Sequence, residues 1–363
     1  MASVSSVLPA APAVMRFDAA ALVEFAAGLL SRAGMPMEPA QAVAEVLVEG
    51  DLLGHDTHGL ALLAGYLGEL ERGAMLAEGE PRVLAERTVA ATWDGERLPG
   101  PWLVRRAIDW ARPRAQMHGS ATVVIRRSHH IACLAAYLEP VARAGLLMML
   151  TCSDPATASV APFGGTQAVF TPNPLAVGIP TSGDPVMIDI SASITTNGMT
   201  NRLKNAGQLG AHPWWLDALG QPTNDPAAFF TQPPGTLLPL GGMDAGHKGY
   251  GLAMLIEAMT GGLAGYGRAD VVEGWGATVC LQLWDPAAFA GAGAFTWQTD
   301  WLVDACHRSA PRDPAVPVRV PGERGLARKR EQLDRGLALH ASILPALAPW
   351  ADRLAVSVPA ALG

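Results

Sequence analysis

One stretch restricts the fold more than any other: Thr122 to Cys152, TVVIRRSHHIACLAAYLEPVARAGLLMMLTC. It gives in succession a short apolar run (Val123–Ile125), a polar pivot (Arg126-Arg127-Ser128-His129-His130), apolar residues at helical spacing to about Arg143, and a second apolar run (Leu146–Leu150). Apolar runs flanking a helical period are a βαβ-like signal, so an α/β chain is expected. The pivot holds two histidines where a strand hands over to a helix, with Ser128 as the candidate cap for the first free N–H groups. The positive end of a helix dipole disfavours imidazolium. An imidazole placed there is poised to exchange a proton near neutral pH. A histidine that only caps or packs is the competing reading.

The chain has 363 residues, half of them hydrophobic, enough for two domains or one large domain with insertions. With 26 basic and 33 acidic residues, a net charge of −7 and no basic block, nucleic acid is not an expected partner. Cys133, Cys152, Cys280 and Cys306 are scattered and form no Cys-x-x-Cys pair, which suits the reduced thiols of a cytoplasmic enzyme. No apolar run approaches the roughly 20 residues needed to span a bilayer, so no membrane segment is expected. The opening MASVSSVLPAAPAV lacks a basic region before an apolar core, and residues 1–16 read as a flexible tail rather than a signal peptide.

From Phe17 to about Leu70 the pattern is helical, with Asp18 as N-cap candidate and further helices expected over 38–51 and 60–70. Between the last two lies Gly54-His55-Asp56-Thr57-His58-Gly59. His55 and His58, three apart, leave a metal pair open, but a catalytic zinc needs a third ligand that the sequence does not nominate, and no metal is expected. Alternation over 81–93 predicts a strand, and 101–112 predicts a helix stopped by Pro113. Pro140 predicts a kink or break after the pivot.

Residues 152–180 are loop-rich, and long ordered loops between short strands are commonly functional. The expected strand 186–190 carries one carboxylate, Asp189, which invites a partner because an unpaired buried charge is costly. Residues 194–239 show little periodicity, and Trp214-Trp215 marks a lid or an interface arm. In Gly246-His247-Lys248-Gly249-Tyr250-Gly251, glycines surround a His-Lys pair just ahead of an apolar helix; such glycines admit a ligand closely, and a lysine there can hold a phosphate. Neither G-x-G-x-x-G nor a Walker pattern is present, so the ordinary dinucleotide fingerprint is not supported. A strand over 278–283, a helix from Asp285, a strand over 316–323 and a charged helix over 324–339 complete the chain. The charges of that helix read mainly as a solvated face, with Arg324 or Arg328 meeting a cofactor phosphate as the functional option.

Taken as an ordered set, Asp56-Thr57-His58-Gly59 with Tyr66, Ser128-His129-His130, Ala161-Pro162-Phe163-Gly164-Gly165, Asn173-Pro174, Asp189, Gly246 to Gly251, and Pro321-Gly322-Glu323 form a specific pattern. The pattern covers nearly the whole chain and resembles the malate/L-lactate dehydrogenase type 2 family, which includes ureidoglycolate and sulfolactate dehydrogenases and a piperideine-2-carboxylate reductase. The resemblance implies a non-Rossmann, mixed-sheet α/β fold that binds NAD or NADP, with NADPH the preferred expectation. It also implies a homodimer, with a helical dimerisation domain built from both chain ends (17–85 and 315–363) around a cofactor-binding domain (86–314). The implied reaction moves a hydride between the nicotinamide and the 2-position of a 2-oxo or 2-hydroxy acid, or of a cyclic imino acid.

Residue by residue, the resemblance makes His130 the proton donor or acceptor and His58 the second pocket histidine, with Thr57, Tyr66, Leu62 and Arg127 on the substrate. It places Asp154, Asn173, Asp189, Ile190, Ser191, His247, Lys248, Gly249, Gly322 and Glu323 on the cofactor side. The departures are informative. The family's first motif usually reads Ser-His-Gly-Val-x-Arg, and its arginine grips the substrate carboxylate; here that position is Leu62. The asparagine before Ser128 is Arg127, the usual His-Phe-Gly is His130-Ile131-Ala132, and a common lysine is Met199. Either Arg127 or Arg202 holds the acid instead, or the substrate is larger or less acidic than malate or lactate. An imine reductase is the nearest alternative. A metal-dependent hydrolase or lyase using His55, His58, His129 and His130, and a member that has lost catalysis, are the others.

Overall fold

The computed structural model describes residues 15–362. The expected flexible tail therefore falls mostly outside the described residues, although Arg16 already pairs in a strand. In chain order the regular elements are β1 (Arg16–Phe17), α1 (Ala19–Arg32), α2 (Met37–Leu53), α3 (Leu63–Glu71), β2 (Arg82–Arg87), β3 (Ala90–Asp94), α4 (Gly100–His118) and β4 (Ser120–Ser128). Then come α5 (Leu138–Arg143), β5 (Leu147–Ser153), β6 (Pro174–Ile179), β7 (Val186–Ser191), α6 (Asn197–Asn205), β8 (Trp215–Leu216), β9 (Pro222–Thr223) and β10 (Thr236–Leu237). The last are α7 (Gly242–Glu257), β11 (Ala277–Trp284), α8 (Ala292–Arg308), α9 (Glu323–Arg335), β12 (Leu337–Ala338) and α10 (Ile343–Leu354).

Asp18 caps α1 as expected, its Oδ1 accepting from the Ala21 N–H at 2.8 Å. The two chain ends meet: α9 packs on α2, α10 on α1 and α3, and β1 pairs with β12. The seven-stranded sheet runs β2-β3-β4-β11-β5-β6-β7, and within it only β3 and β4 are parallel. A Rossmann sheet is parallel throughout its nucleotide-binding half, so this mixed sheet is a different solution.

The βαβ unit exists, but one element earlier than expected. It is β3-α4-β4, whereas β4 and β5 are separated by β11, antiparallel to both. Strand β11 comes from 277–284, and its Val279, Cys280, Leu281 and Leu283 are fully enclosed. Helix α4 runs through Pro113, contrary to the expected stop. Pro113 and Asp109, whose carbonyl loses its partner, are both exposed, and the apolar face of α4 packs on β4 and β11, which outweighs the lost bond.

Three further expectations are corrected. The single strand over 81–93 is the β2–β3 hairpin. No strand forms over 316–323, where the chain is irregular until α9 begins. Helix α7 starts at Gly242, so His247 and Lys248 lie inside it rather than in a turn ahead of it. The segment with Trp214-Trp215 forms a three-stranded sheet, β10-β8-β9, with its own small core of Trp215, Phe170 and Leu237 closed by α7.

Candidate functional site

The pivot is not a strand-to-helix junction. Strand β4 ends at Ser128, and residues 129–133 are loop before a 3-10 turn, Leu134–Tyr137, leads into α5. Pro140 falls in the first turn of α5, close to that change of helix type. Ser128 caps no helix, because its hydroxyl donates to the His129 carbonyl at 2.7 Å. The helix that follows the pivot therefore does not start at the histidines. The loop is seated by α4, whose first residue is Gly100: a Cβ there would lie 2.3 Å from the His130 carbonyl oxygen and 2.4 Å from that of His129. The His129 N–H also donates to the Leu98 carbonyl at 3.1 Å.

The His130 ring is fixed from α3. The Tyr66 hydroxyl lies 2.8 Å from Nδ1, and the Ala132 N–H donates to the same nitrogen at 3.3 Å. An amide can only donate, so Nδ1 is the acceptor, Tyr66 donates to it, and Nε2 carries the proton. Trp275 lies against the ring, centroids 4.7 Å apart and tilted by 31°, and the His58 ring is 6.0 Å away. Dense protein around His130 pushes its pKa well below the ordinary value, and His58 and His129 add to this. His58, whose Nδ1 is 2.9 Å from the Thr57 hydroxyl, is lowered to about 4 by burial and then by His55. Both imidazoles are neutral at physiological pH.

His129 turns the other way. It is buried, with Nε2 3.3 Å from Glu69 and Nδ1 without a partner among the described residues. Its pKa is lowered by burial in spite of Glu69. His55 groups instead with Cys133 and Asp189, whose ligand atoms lie within 4.8 Å of one another. The four histidines of the metal-hydrolase reading are thus not brought to one point.

A cavity of about 470 Å³ adjoins this site, lined by Gly54, His55, Ala135, Asp189, Ile190, Gly322, Arg324 and Arg328 among others. Asp189 accepts the Ala135 N–H at 2.9 Å, and burial raises its pKa. Gly322 has φ +97°, and a Cβ on it would meet the Met187 backbone nitrogen at 2.9 Å, so a glycine closes this wall. Glu323 caps its own turn by accepting the Val320 N–H at 3.2 Å and pairs with His307. Among the described residues Arg324 and Arg328 have no carboxylate partner. The expected solvated face holds only in part, since Lys329 is wedged between Glu49 and Glu139 at 2.7 and 2.8 Å.

Other expected residues sit elsewhere. Arg127 is committed to Asp94 at 2.8 Å and to Glu96 at 2.7 Å. Asp94 is wholly buried and is also held by Arg126 at 3.0 Å and Arg82 at 3.5 Å, so Arg127 is one of three guanidiniums around this carboxylate. Arg202 pairs with Asp56 at 2.9 Å. Leu62 packs on the main core one helical turn before Tyr66. Asp154 accepts from Ala156 and Thr157 in its own loop. The buried Asn173 donates to Glu257 at 2.9 Å, and Glu257 in turn pairs with Arg268, which reaches back to the Asp154 and Thr157 carbonyls. The Ser191 hydroxyl donates to the Ser193 carbonyl at 3.1 Å. His247 packs edge-on against Phe163, Lys248 is exposed, and Gly249 lets α7 approach the Leu240 and Ala192 backbone.

Sequence reasoning missed Glu69, Arg97, Glu257, Arg268 and Trp275. Two had visible signals: Glu257 is a lone acid in the apolar run LAMLIEAMTGG, and Trp275 stands between two glycines.

The profile described as malate/L-lactate dehydrogenase matches residues 17–348. The chain belongs to the malate/L-lactate dehydrogenase family. It is 30% identical over 354 residues to L-lactate dehydrogenase of Cupriavidus necator, covering 96% of this chain and all of that one. The fold is similar to that of a dehydrogenase from Sinorhizobium meliloti, with TM-score 0.81, 32% identity, and 93% and 98% of the two chains covered. It is also similar to delta1-piperideine-2-carboxylate reductase from Pseudomonas syringae pvar. tomato, with TM-score 0.81, 25% identity, and 92% and 99% covered. As a member of the malate/L-lactate dehydrogenase family the chain is an oxidoreductase, its cofactor is a nicotinamide nucleotide, and its substrates are small molecules. No helix among the described residues is long and apolar enough to cross a membrane.

Proposed function

We propose that the protein transfers a hydride between NAD(P)H and the 2-position of a 2-oxo or 2-hydroxy acid, or of a cyclic 2-imino acid, with His130 as proton donor or acceptor. The observation that carries this reading is the pinned His130 ring: two donors hold Nδ1 and leave Nε2–H for the substrate heteroatom. The nicotinamide, when bound, supplies or takes the hydride. As hydride reaches carbon, the heteroatom must gain a proton, which a positioned imidazole can provide. The ring gains a solvent-derived proton at Nδ1 as it gives up the one at Nε2, so no imidazolate forms, and in the reverse direction both transfers run backwards. Tyr66 keeps the ring oriented, and burial raises its hydroxyl pKa so that it stays a donor. His58, neutral and beside His130, adds no charge to the pocket.

The cavity between α2, β7 and α9 suits the nucleotide. Arg324 and Arg328 face it unneutralised, and a phosphate supplies the missing charge. Two free guanidiniums in one cavity support NADPH over NADH. His247, Lys248 and Gly249 on α7, with Asp154 just after β5, Asn173 just before β6 and Ser191 at the end of β7, complete the proposed cofactor side as positioning groups.

Imine reduction is the second reading, and one observation favours it. Arg127 and Arg202, the cations proposed to replace the arginine absent at Leu62, are both held in ion pairs. Neutral histidines with Arg127 and Arg202 already paired suit a cyclic imine better than malate.

We further propose a cytoplasmic homodimer. All four cysteines are free thiols, and α8 buries none of its residues while Trp297, Trp301 and Leu302 lie on its surface. The reaction is tested with His130→Asn, assayed by nicotinamide absorbance against 2-oxo and cyclic imino acids. A loss of about 10²–10⁴-fold in kcat/KM is expected. Turnover equal to wild type would remove His130 from the chemistry.

A further inference from the structure

Trp275 belongs to no element that the sequence singles out, yet it lies against three of the rings around the reacting position. Its indole lies 4.7 Å from His130, 5.3 Å from Tyr66 and 5.2 Å from His129, centroid to centroid. The strap that carries it is held by Arg97, whose guanidinium donates to the Glu273 carbonyl at 3.1 Å and the Trp275 carbonyl at 3.4 Å. The Arg97 Nε donates to Ala74 at 2.6 Å. Gly274, at φ +78°, makes the turn, and a Cβ on it would sit 2.7 Å from the Arg97 Nη2. On the other side Gly65 of α3 leaves room for the indole, whose Cζ3 lies 3.4 Å from where a Cβ would stand. The residue as a whole is half-buried, so the indole is not wholly enclosed by these neighbours.

We infer that Trp275 is the wall against which the substrate's ring lies, selecting cyclic or aryl-bearing 2-oxo and 2-imino acids over short linear ones. This rests on the proposed reaction at His130. The physical case has two parts. An indole held by a clamp presents a flat apolar face at little entropic cost, and flat rings stack on it. His58 and His130 are neutral, Arg127 and Arg202 are held in ion pairs, and the Arg97 guanidinium is taken up by the Ala74, Glu273 and Trp275 carbonyls, so none of these is disposed to replace the arginine absent at Leu62. A protonated cyclic imine gains further from the π-face, tryptophan being the best aromatic partner for a cation. Selection here comes from shape and dispersion, where the family pattern uses a cation at position 62.

The test uses Trp275→Ala and Trp275→Phe in the full-length protein. The first measurement is kcat/KM with NADPH for phenylpyruvate and Δ1-piperideine-2-carboxylate against pyruvate. The second is calorimetric binding of pyridine-2-carboxylate, a flat unreactive analogue, against oxamate, a short linear one. The wild type is expected to prefer ring-bearing ligands by about tenfold or more in both measurements, given what apolar contacts discriminate. Trp275→Ala should erase that preference mainly through KM, and Trp275→Phe should keep most of it. A wild type that favours pyruvate and oxamate overturns the inference, and so does a preference that survives Trp275→Ala. If nothing is turned over but pyridine-2-carboxylate binding still depends on Trp275, the proposed reaction fails and the wall stands.

Discussion

His130 shows how a residue type acquires a role through its neighbours. A histidine in a polar pivot titrates near neutrality by default, but packing lowers its pKa and the two donors on Nδ1 select one tautomer. Its partner in sequence, His129, is the same residue type used as packing against Glu69. Leu62 makes the opposite point, because there the proposed specificity rests on a charge that the residue lacks. Replacing it with arginine puts a cation one turn before Tyr66, with an aliphatic stem able to lie along the core. Leu62→Arg is expected to raise kcat/KM for lactate or malate by about tenfold or more, the scale of a charge-assisted pair. Steady-state kinetics check this, and an unchanged value for both acids would show that the missing arginine is not what excludes them.

At the scale of elements, α4 does more than fill the sheet face. Its glycine start is the only residue type that lets the helix abut the carbonyls of His129 and His130. Gly100→Ala is expected to push that loop aside and lower kcat by roughly tenfold or more, since displacements near 1 Å at a reacting group cost about that much or more. The melting temperature should fall as well, but Gly119→Ala, at the opposite end of α4 and with φ +90°, serves as the stability control. Wild-type kcat in Gly100→Ala would mean that the seat does not position His130. Helix α8 poses the converse case, an element with no core of its own. Trp297→Glu together with Trp301→Glu is expected to convert a dimer into a monomer by light scattering. A double variant that keeps the wild-type mass would exclude this face as the interface.

For the whole molecule, buried neutral histidines make stability depend on pH. His58, His129 and His130 all have folded pKa values below the unfolded value near 6.5. Below pH 6.5 the unfolded chain takes up protons that the folded chain refuses, so stability present above that pH is lost as pH falls towards about 4, the value of His58. For His58 this amounts to roughly 3 kcal/mol. Asp51 acts in the opposite sense. Its carboxyl is raised to about 7 by burial, so its contribution grows as pH falls from about 7 towards 3.8. Asp189, Glu49 and Asp154 are raised in the same sense as Asp51, whereas Asp94, Glu139 and Asp184 are held low by their cations and add to the loss in acid, so six groups oppose four. Denaturant midpoints at about pH 7.5 and about pH 5 should show the lower value in acid; equal midpoints would mean that the rings are not buried neutral.

The helices near the N-terminus, the Asp18 cap, the strand around Asp189 and the order of the family motifs were all legible along the chain, because each depends on residues within a turn or a strand of one another. The two histidines and Tyr66 were legible too, as members of short motifs. What the chain did not disclose is which strand lies beside which. Strand β11, more than a hundred residues beyond β5, slips between β4 and β5 and converts an apparent βαβ unit into antiparallel neighbours. Nor did periodicity reveal that Arg127 is consumed by Asp94, that Glu69 backs His129, or that a tryptophan between two glycines closes on His130. A periodic pattern records which face of an element is apolar. The partner of that face is chosen by the packing of the whole core, and there only the tertiary structure decides.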